Sequence, residues 1–184
     1  MTSKTSLCFE ILLVFVRVYT ASTSRQEEIG FFTIEERFRQ DVLEDSSKAL
    51  GPYGGSSGDW FSDFGPSLYG PISSILIRHG GIIDGIQFIY GDNTEGTFAG
   101  GLGGNAETLV LNTDEYIHKI RIGMDQGSEY VGQLYFTTNK HTYGPYGMQN
   151  TTLWDVEHGG QPLMYVSGRY SSYLNALTFH WKDL

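Results

Sequence analysis

The sequence predicts an all-β domain built from three similar units, on three observations. Of the 24 glycines, all but Gly30 follow residue 50, about twice the usual glycine share for that stretch. Short β-branched and aromatic runs alternate there with turn clusters such as "HGGI", "YGDN" and "MDQGS", the signature of many short strands. A pattern also repeats: Ile83-x-x-Ile86-x-Phe88, Val131-x-x-Leu134-x-Phe136 and Leu174-x-x-Leu177-x-Phe179.

The elements follow in chain order. Lys4, the apolar stretch "ILLVFV" and the small residues Ala21 and Ser22 read as a leader over residues 1–22, interrupted by Glu10 and Arg17; it is too short and too charged to span a bilayer. The expected route is secretion, which makes Asn150 of "NTT" a candidate N-glycosylation acceptor. Residues 23–50 form a charged extension or pro-segment. Within it Phe31, Ile34, Phe38 and Val42 recur at helical spacing, and Thr33 with Glu36 makes a capping box, so a helix over 34–45 is expected.

The domain is expected over 51–184. In each unit the repeated pattern is the second strand of a hairpin. Ile72-x-x-Ile75-x-Ile77 and Ile117-x-x-Ile120-x-Ile122 precede the first two copies, and the third keeps only Met164-x-Val166. Three units of about 45 residues suit a closed threefold body, a prism of three sheets or a trefoil, and a propeller needs more blades.

Composition narrows the partners. A formal net charge of −9 without a Lys/Arg cluster disfavours nucleic acid, anionic lipid and sulfated polysaccharide. The sole cysteine, Cys8, lies in the leader, so the core must hold the domain without disulfides.

The segments "GPYGGSSGDWF", "GGIIDGIQFIYGD", "ETLVLNTDEYIHKI", "LYFTTNKHTYGPYG" and "SGRYSSYLNALTFHW" together resemble the jacalin-related lectins, in family order from residue 51 to about 182. Plant members and animal zymogen-granule lectins look similar. The resemblance implies a β-prism I fold of three four-stranded Greek-key sheets, and carbohydrate binding without calcium or other cofactor.

It also implies a site at one end of the prism. One loop would contribute Ser57 and Gly58. The other, Gly-x-x-x-Asp in the family, is here Ser171-Ser172-Tyr173-Leu174-Asn175, with Ser172 and Tyr173 as backbone N–H donors. Serine replaces the glycine, and asparagine the aspartate. A carboxylate accepts two sugar hydroxyls in charge-assisted bonds, whereas Asn175 offers one acceptor oxygen and one donor. At ~1 kcal/mol per weakened bond, the loss is roughly five- to thirtyfold. Tyr53 and Tyr170 are candidate aromatic contacts, with Tyr173 beside them; Trp60 reads as a core or hairpin-packing residue.

The expected function is a lectin for neutral, mannose- or glucose-type glycans and glycoproteins, with a homo-oligomer left open as a route to avidity. The alternative, favoured by Ser171 and Asn175, is a packaging or matrix protein with a vestigial sugar site.

Nothing else carries chemistry. The five histidines, His79, His118, His141, His158 and His180, lack metal-ligand spacing. "GDNTEG" at 91–96 reads as a hairpin turn rather than a calcium loop. "GGLGG" at 100–104 leads into no helix and so cradles no phosphate. Asp155 with Glu157, or Asp59 with Asp63, are neighbours on one turn rather than a glycosidase pair. No metal and no enzyme activity are expected.

Overall fold

The computed structural model describes residues 46–125, 127, 129–147 and 152–184. The expected leader, the helix over 34–45 and Asn150 lie outside them.

Among the described residues, thirteen strands make three antiparallel sheets, and one short helix accompanies them. β1 (Lys48–Gly54) and β2 (Asp59–Ser62) lead through α1 (Phe64–Ser67) to β3 (Ile72–His79) and β4 (Ile83–Tyr90). β5 (Thr94–Glu95), β6 (Ala99–Gly100), β7 (Asn105–Val110), β8 (Ile117–Met124) and β9 (Val131–Thr138) follow. β10 (Thr142–Gly147), β11 (Leu153–Glu157), β12 (Leu163–Tyr170) and β13 (Leu174–Trp181) complete the chain. The first sheet has the order β1-β13-β12-β2, the second β5-β4-β3-β7 with β6 also on β4, and the third β10-β9-β8-β11. The first sheet therefore joins both ends of the domain. The expected prism of three sheets is the observed architecture, and the trefoil is not.

The three sheets repeat one another in register. β4, β9 and β13 carry the repeated pattern, and Ile83, Ile86, Phe88, Val131, Leu134, Phe136, Leu174, Leu177 and Phe179 are all buried. An apolar residue at alternate positions, with an extra one next to the bulge, is what a strand with one face on the core requires. Each outer partner strand is interrupted at the same height. β1 shifts register between Leu50 and Tyr53, and β10 between Tyr143 and Tyr146. In the second sheet the same interruption divides the strand into β5 and β6.

Beyond each break stands a glycine with positive φ: Gly54 (135°), Gly100 (122°) and Gly147 (85°). A Cβ on these would strike the backbone carbonyls of Asn175, Asp84 and Gly132 respectively. Any other residue is excluded there by both backbone conformation and space.

Two expectations fail here. The third unit's first strand is Leu163-x-x-Val166-x-Gly168, not Met164-x-Val166. Leu163 and Val166 are buried, while Met164 faces out at 39% exposure. Gly168 stands where Ile77 and Ile122 stand, and the ring edge of Phe61 lies 3.0 Å from where a Cβ would be. An aromatic from β2 thus fills the volume the third isoleucine would occupy. Trp60, read as core or hairpin packing, is 67% exposed, because alternation along β2 sends Phe61 inward and its neighbour out.

The motif "TN…YGPYG" is a latch. Thr138 Oγ1 donates to Glu115 Oε1 at 2.6 Å, Tyr143 donates to the same oxygen at 3.0 Å, and Asn112 donates to Oε2 from N–H and side chain at 3.2 and 2.8 Å. Asn139 accepts from the Tyr116 N–H at 3.1 Å and donates to the Asp114 carbonyl at 3.0 Å. Burial raises the Glu115 pKa, but these donors outweigh it and hold the group down at about 2.

Candidate functional site

The two loops expected to meet do meet, at the end of the first sheet. β1 and β2 are joined by Gly55–Gly58, and β12 and β13 by Ser171–Tyr173. The Gly55 N–H is shared between the carbonyls of Asn175 at 3.0 Å and Glu129 at 3.2 Å. The Ser171 N–H donates to the Tyr173 carbonyl at 2.9 Å and closes the second loop on itself.

Asn175 joins them. Its side chain is nearly fully buried at 1% exposure. Its amide donates to Ser57 Oγ at 3.0 Å, and its oxygen accepts from Ser171 Oγ at 2.9 Å. Each hydroxyl can donate or accept, so together they hold the amide between the two loops in either orientation. Gly58, with φ of 87°, lies against the Tyr170 carbonyl, and a Cβ there would come within 3.2 Å of Asn175 Oδ1. Arg169 Nη1 donates to the Gly58 carbonyl at 2.9 Å and pins the glycine loop to β12.

The remaining expected residues divide. Ser57, Gly58, Ser171 and Ser172 are exposed and Tyr173 is half-buried. Leu174 is core, so only its backbone borders the loop. Tyr53 packs against Phe179 and Tyr170 against Phe61, with centroid distances of 6.0 and 5.9 Å. Both therefore brace the fold.

The ring that accompanies the loop is Tyr130, 4.9 Å from Tyr173. Tyr130, Glu129 and Arg169 went unread in the sequence. The first two come from the turn before β9 in another sheet, a non-local contact. Arg169 lay within the quoted closing segment, and only strand register shows that it reaches Gly58.

Two grooves lie on the first sheet. One, of about 310 Å³, runs beside the glycine loop between Trp60, Arg169, Thr178 and Pro52. The other, of about 480 Å³, lies at the opposite end of β12 and β13, between Pro71, Pro162, Met164 and Lys182. One carboxylate of each pair considered for catalysis is engaged within the fold. Asp155 pairs with Lys119 and Arg121 at 2.7 and 2.8 Å, and Asp63 is buried and hydrogen-bonded to Tyr90 and the Thr97 N–H. Among the described residues no three His, Cys, Asp or Glu side chains converge as a metal site, and no helix is long and apolar enough to cross a membrane.

Three antiparallel sheets in pseudo-threefold array, with glycine-lined loops gathered at one end, define a β-prism I protein of the lectin class. The model of the jacalin-like lectin domain matches residues 50–180, and the chain belongs to that family. Zymogen granule membrane protein 16 of Rattus norvegicus is 34% identical over 139 residues, covering 74% of this chain and 81% of that protein. Jacalin-related lectin 3 of Arabidopsis thaliana is 30% identical, covering 77% of this chain and 25% of that one. Among solved structures, the artocarpin–mannotriose complex aligns with a TM-score of 0.66 and 25% identity over 77% of this chain and all of that one. Wild-type Malaysian banana lectin aligns with a TM-score of 0.65 and 26% identity over 73% and 97%.

Proposed function

We propose that this carbohydrate-binding domain recognises neutral glycans of the mannose or glucose type, without metal, at the loop end of the prism. The observation that carries the reading is the meeting of Gly58 and Asn175 between two loops of otherwise unrelated sequence position. There the backbone N–H groups of Ser172 and Tyr173 serve as donors and Asn175 as a mixed donor and acceptor. The artocarpin structure with mannotriose supports the sugar class, and the zymogen-granule relative supports a secretory route, on which residues 1–22 would serve as the leader. The acidic balance of the chain fits uncharged ligands better than sulfated ones.

A second reading, a packaging protein with a weakened site, is favoured by one observation: both polar atoms of Asn175 already have protein partners. A glycan array probed with the full secreted chain separates the two. Signal on neutral mannose- or glucose-terminated glycans, competed by the free monosaccharide, supports the lectin. Silence across all neutral glycans at high density supports the packaging role.

A further inference from the structure

Trp60 stands two-thirds exposed on the outer face of the first sheet, an uncommon setting for so large an aromatic. It follows the glycine loop directly and lies opposite Arg169 of β12. The groove of about 310 Å³ runs between these two side chains and Pro52 of β1, with Ala176 and Thr178 beneath and Ser56 at its end. That volume is at the small end of ligand sites, which run from about 300 to 1,000 Å³. Ser56 adjoins Ser57 and Gly58, so the groove opens straight onto the place where the two loops meet.

The other two sheets lack this combination. In the second sheet Gly100 pairs with Gly85 as Gly54 pairs with Ala176, so "GGLGG" at 100–104 stands where "GGSSG" stands at 54–58. Arg78 donates there to the carbonyls of Gly103 and Gly104 at 2.9 and 3.1 Å, as Arg169 does to that of Gly58. The residue opposite Arg78, however, is Ala106. The Phe98 ring lies 2.8 Å from where a Cβ of Gly85 would be and so covers the floor position. In the third sheet the arginine and tryptophan positions hold Gly123 and Leu153, and the floor position holds the buried side chain of Gln133. The open groove with an aromatic wall belongs to the sheet that carries Asn175.

Its chemistry suits one kind of ligand. Arg169 makes a single hydrogen bond, through Nη1 to Gly58, and no ion pair among the described residues. Its remaining N–H groups and the Thr178 hydroxyl are left as donors beside the indole. A pyranose carries hydroxyls around its rim and C–H groups on its face, which matches an aromatic plane flanked by hydrogen-bond donors. We propose that the groove is the subsite for a second sugar, linked to the one at the loop end. The second ring lies with its C–H face on Trp60 while Arg169 and Thr178 bond its hydroxyls. The proposal rests on the reading of the domain as a neutral-glycan lectin and deepens it from a single hexose to a linked pair. With both polar atoms of Asn175 already engaged by Ser57 and Ser171, the loop end is a weak site by itself, and the neighbouring contact carries much of the affinity.

The test is an NMR titration of the full chain with methyl α-D-mannopyranoside, methyl α-D-glucopyranoside and the α-linked disaccharides of mannose and of glucose. Expected is at least one disaccharide that binds severalfold to about tenfold more tightly than its methyl glycoside. It should shift the Trp60 indole N–H and the Thr178 amide together with the Ser172 and Tyr173 amides. Trp60→Ala should bring the two affinities together, and Trp60→Phe, which keeps a smaller aromatic face, should retain part of the gap. A gap that survives Trp60→Ala, or disaccharides that bind no better than the glycosides in wild type, overturns the subsite and leaves the lectin reading standing. No shift with any of these sugars overturns both.

Discussion

The Tyr90 hydroxyl donates to Asp63 Oδ2 at 3.2 Å, tying the end of β4 to the segment that leaves β2 and so joining the second sheet to the first. Asp63 is 0% exposed, and its other oxygen accepts from the Thr97 N–H at 2.8 Å. Burial raises the Asp63 pKa, and these donors only partly offset it. Tyr90 is pushed well above the ordinary tyrosine range by burial and by the same carboxylate. An acid whose folded pKa is raised favours the fold fully below its unfolded value of 3.8, and loses that contribution as pH rises through the folded pKa. Asp63→Asn keeps an acceptor and removes the charge, so its urea-unfolding free energy should fall less than wild type between pH 4 and neutrality. Asp63→Ala leaves Tyr90 and Thr97 without an acceptor and should cost about 2–5 kcal/mol near pH 4, a gap that narrows toward neutrality as wild type loses the contribution of the protonated acid.

Glu115 has the opposite sign. Its folded pKa of about 2 lies below the ordinary value of 4.5, so its contribution is full above pH 4.5 and disappears as pH falls through about 2. Glu115→Gln should therefore lower the thermal midpoint at pH 7 and narrow its gap to wild type near pH 2. Thermal melts at pH 7, 4 and 2.5 check this. A constant gap would mean that the hydrogen bonds act without the charge.

At the first-sheet site, Asn175→Asp restores a second acceptor oxygen to which both Ser57 and Ser171 can turn as donors. Mannoside or glucoside binding read from the Ser172 and Tyr173 amides should strengthen roughly five- to thirtyfold. No gain at Ser172 and Tyr173 would remove Asn175 from the sugar contacts.

Gly168 tests the packing argument. A Cβ at Gly168 would stand 2.1 Å from the Ala176 carbonyl oxygen and 3.0 Å from the Phe61 ring, so Gly168→Val overpacks the core against both and should cost about 3 kcal/mol or more in chemical denaturation. In the double variant with Phe61→Ala the valine side chain gains room, and part of that cost should return. Strict additivity would show that the two sites do not share the volume.

Much of the fold was legible because β4, β9 and β13 each turn one face to a common core, which writes the same apolar spacing three times. β12 was harder to read, because Gly168 contributes no side chain and Phe61, over a hundred residues away, supplies the missing volume. Met164 was misassigned because an exposed methionine has the same composition signal as a buried one. The loop residues Ser57, Gly58 and Asn175 were legible through family likeness, whereas Tyr130 approaches Tyr173 only through the ring of sheets. The segments "GGIID" and "GGLGG" were visible as text. That they face each other as "SSYLN" and "GGSSG" do depends on strand register, which the one-dimensional pattern does not contain.

The pairing of β1 with β13 gives the prism a seam. Lys48 lies opposite Trp181, so the domain's first and last strands begin and end side by side, antiparallel. Tension applied between the two ends therefore loads that ladder one hydrogen bond at a time, as a zipper, rather than shearing all of them together. Mechanically the domain is weakest where its chain closes, and a pull on both ends would free β1 while the second and third sheets, which contain neither terminal strand, kept their own ladders.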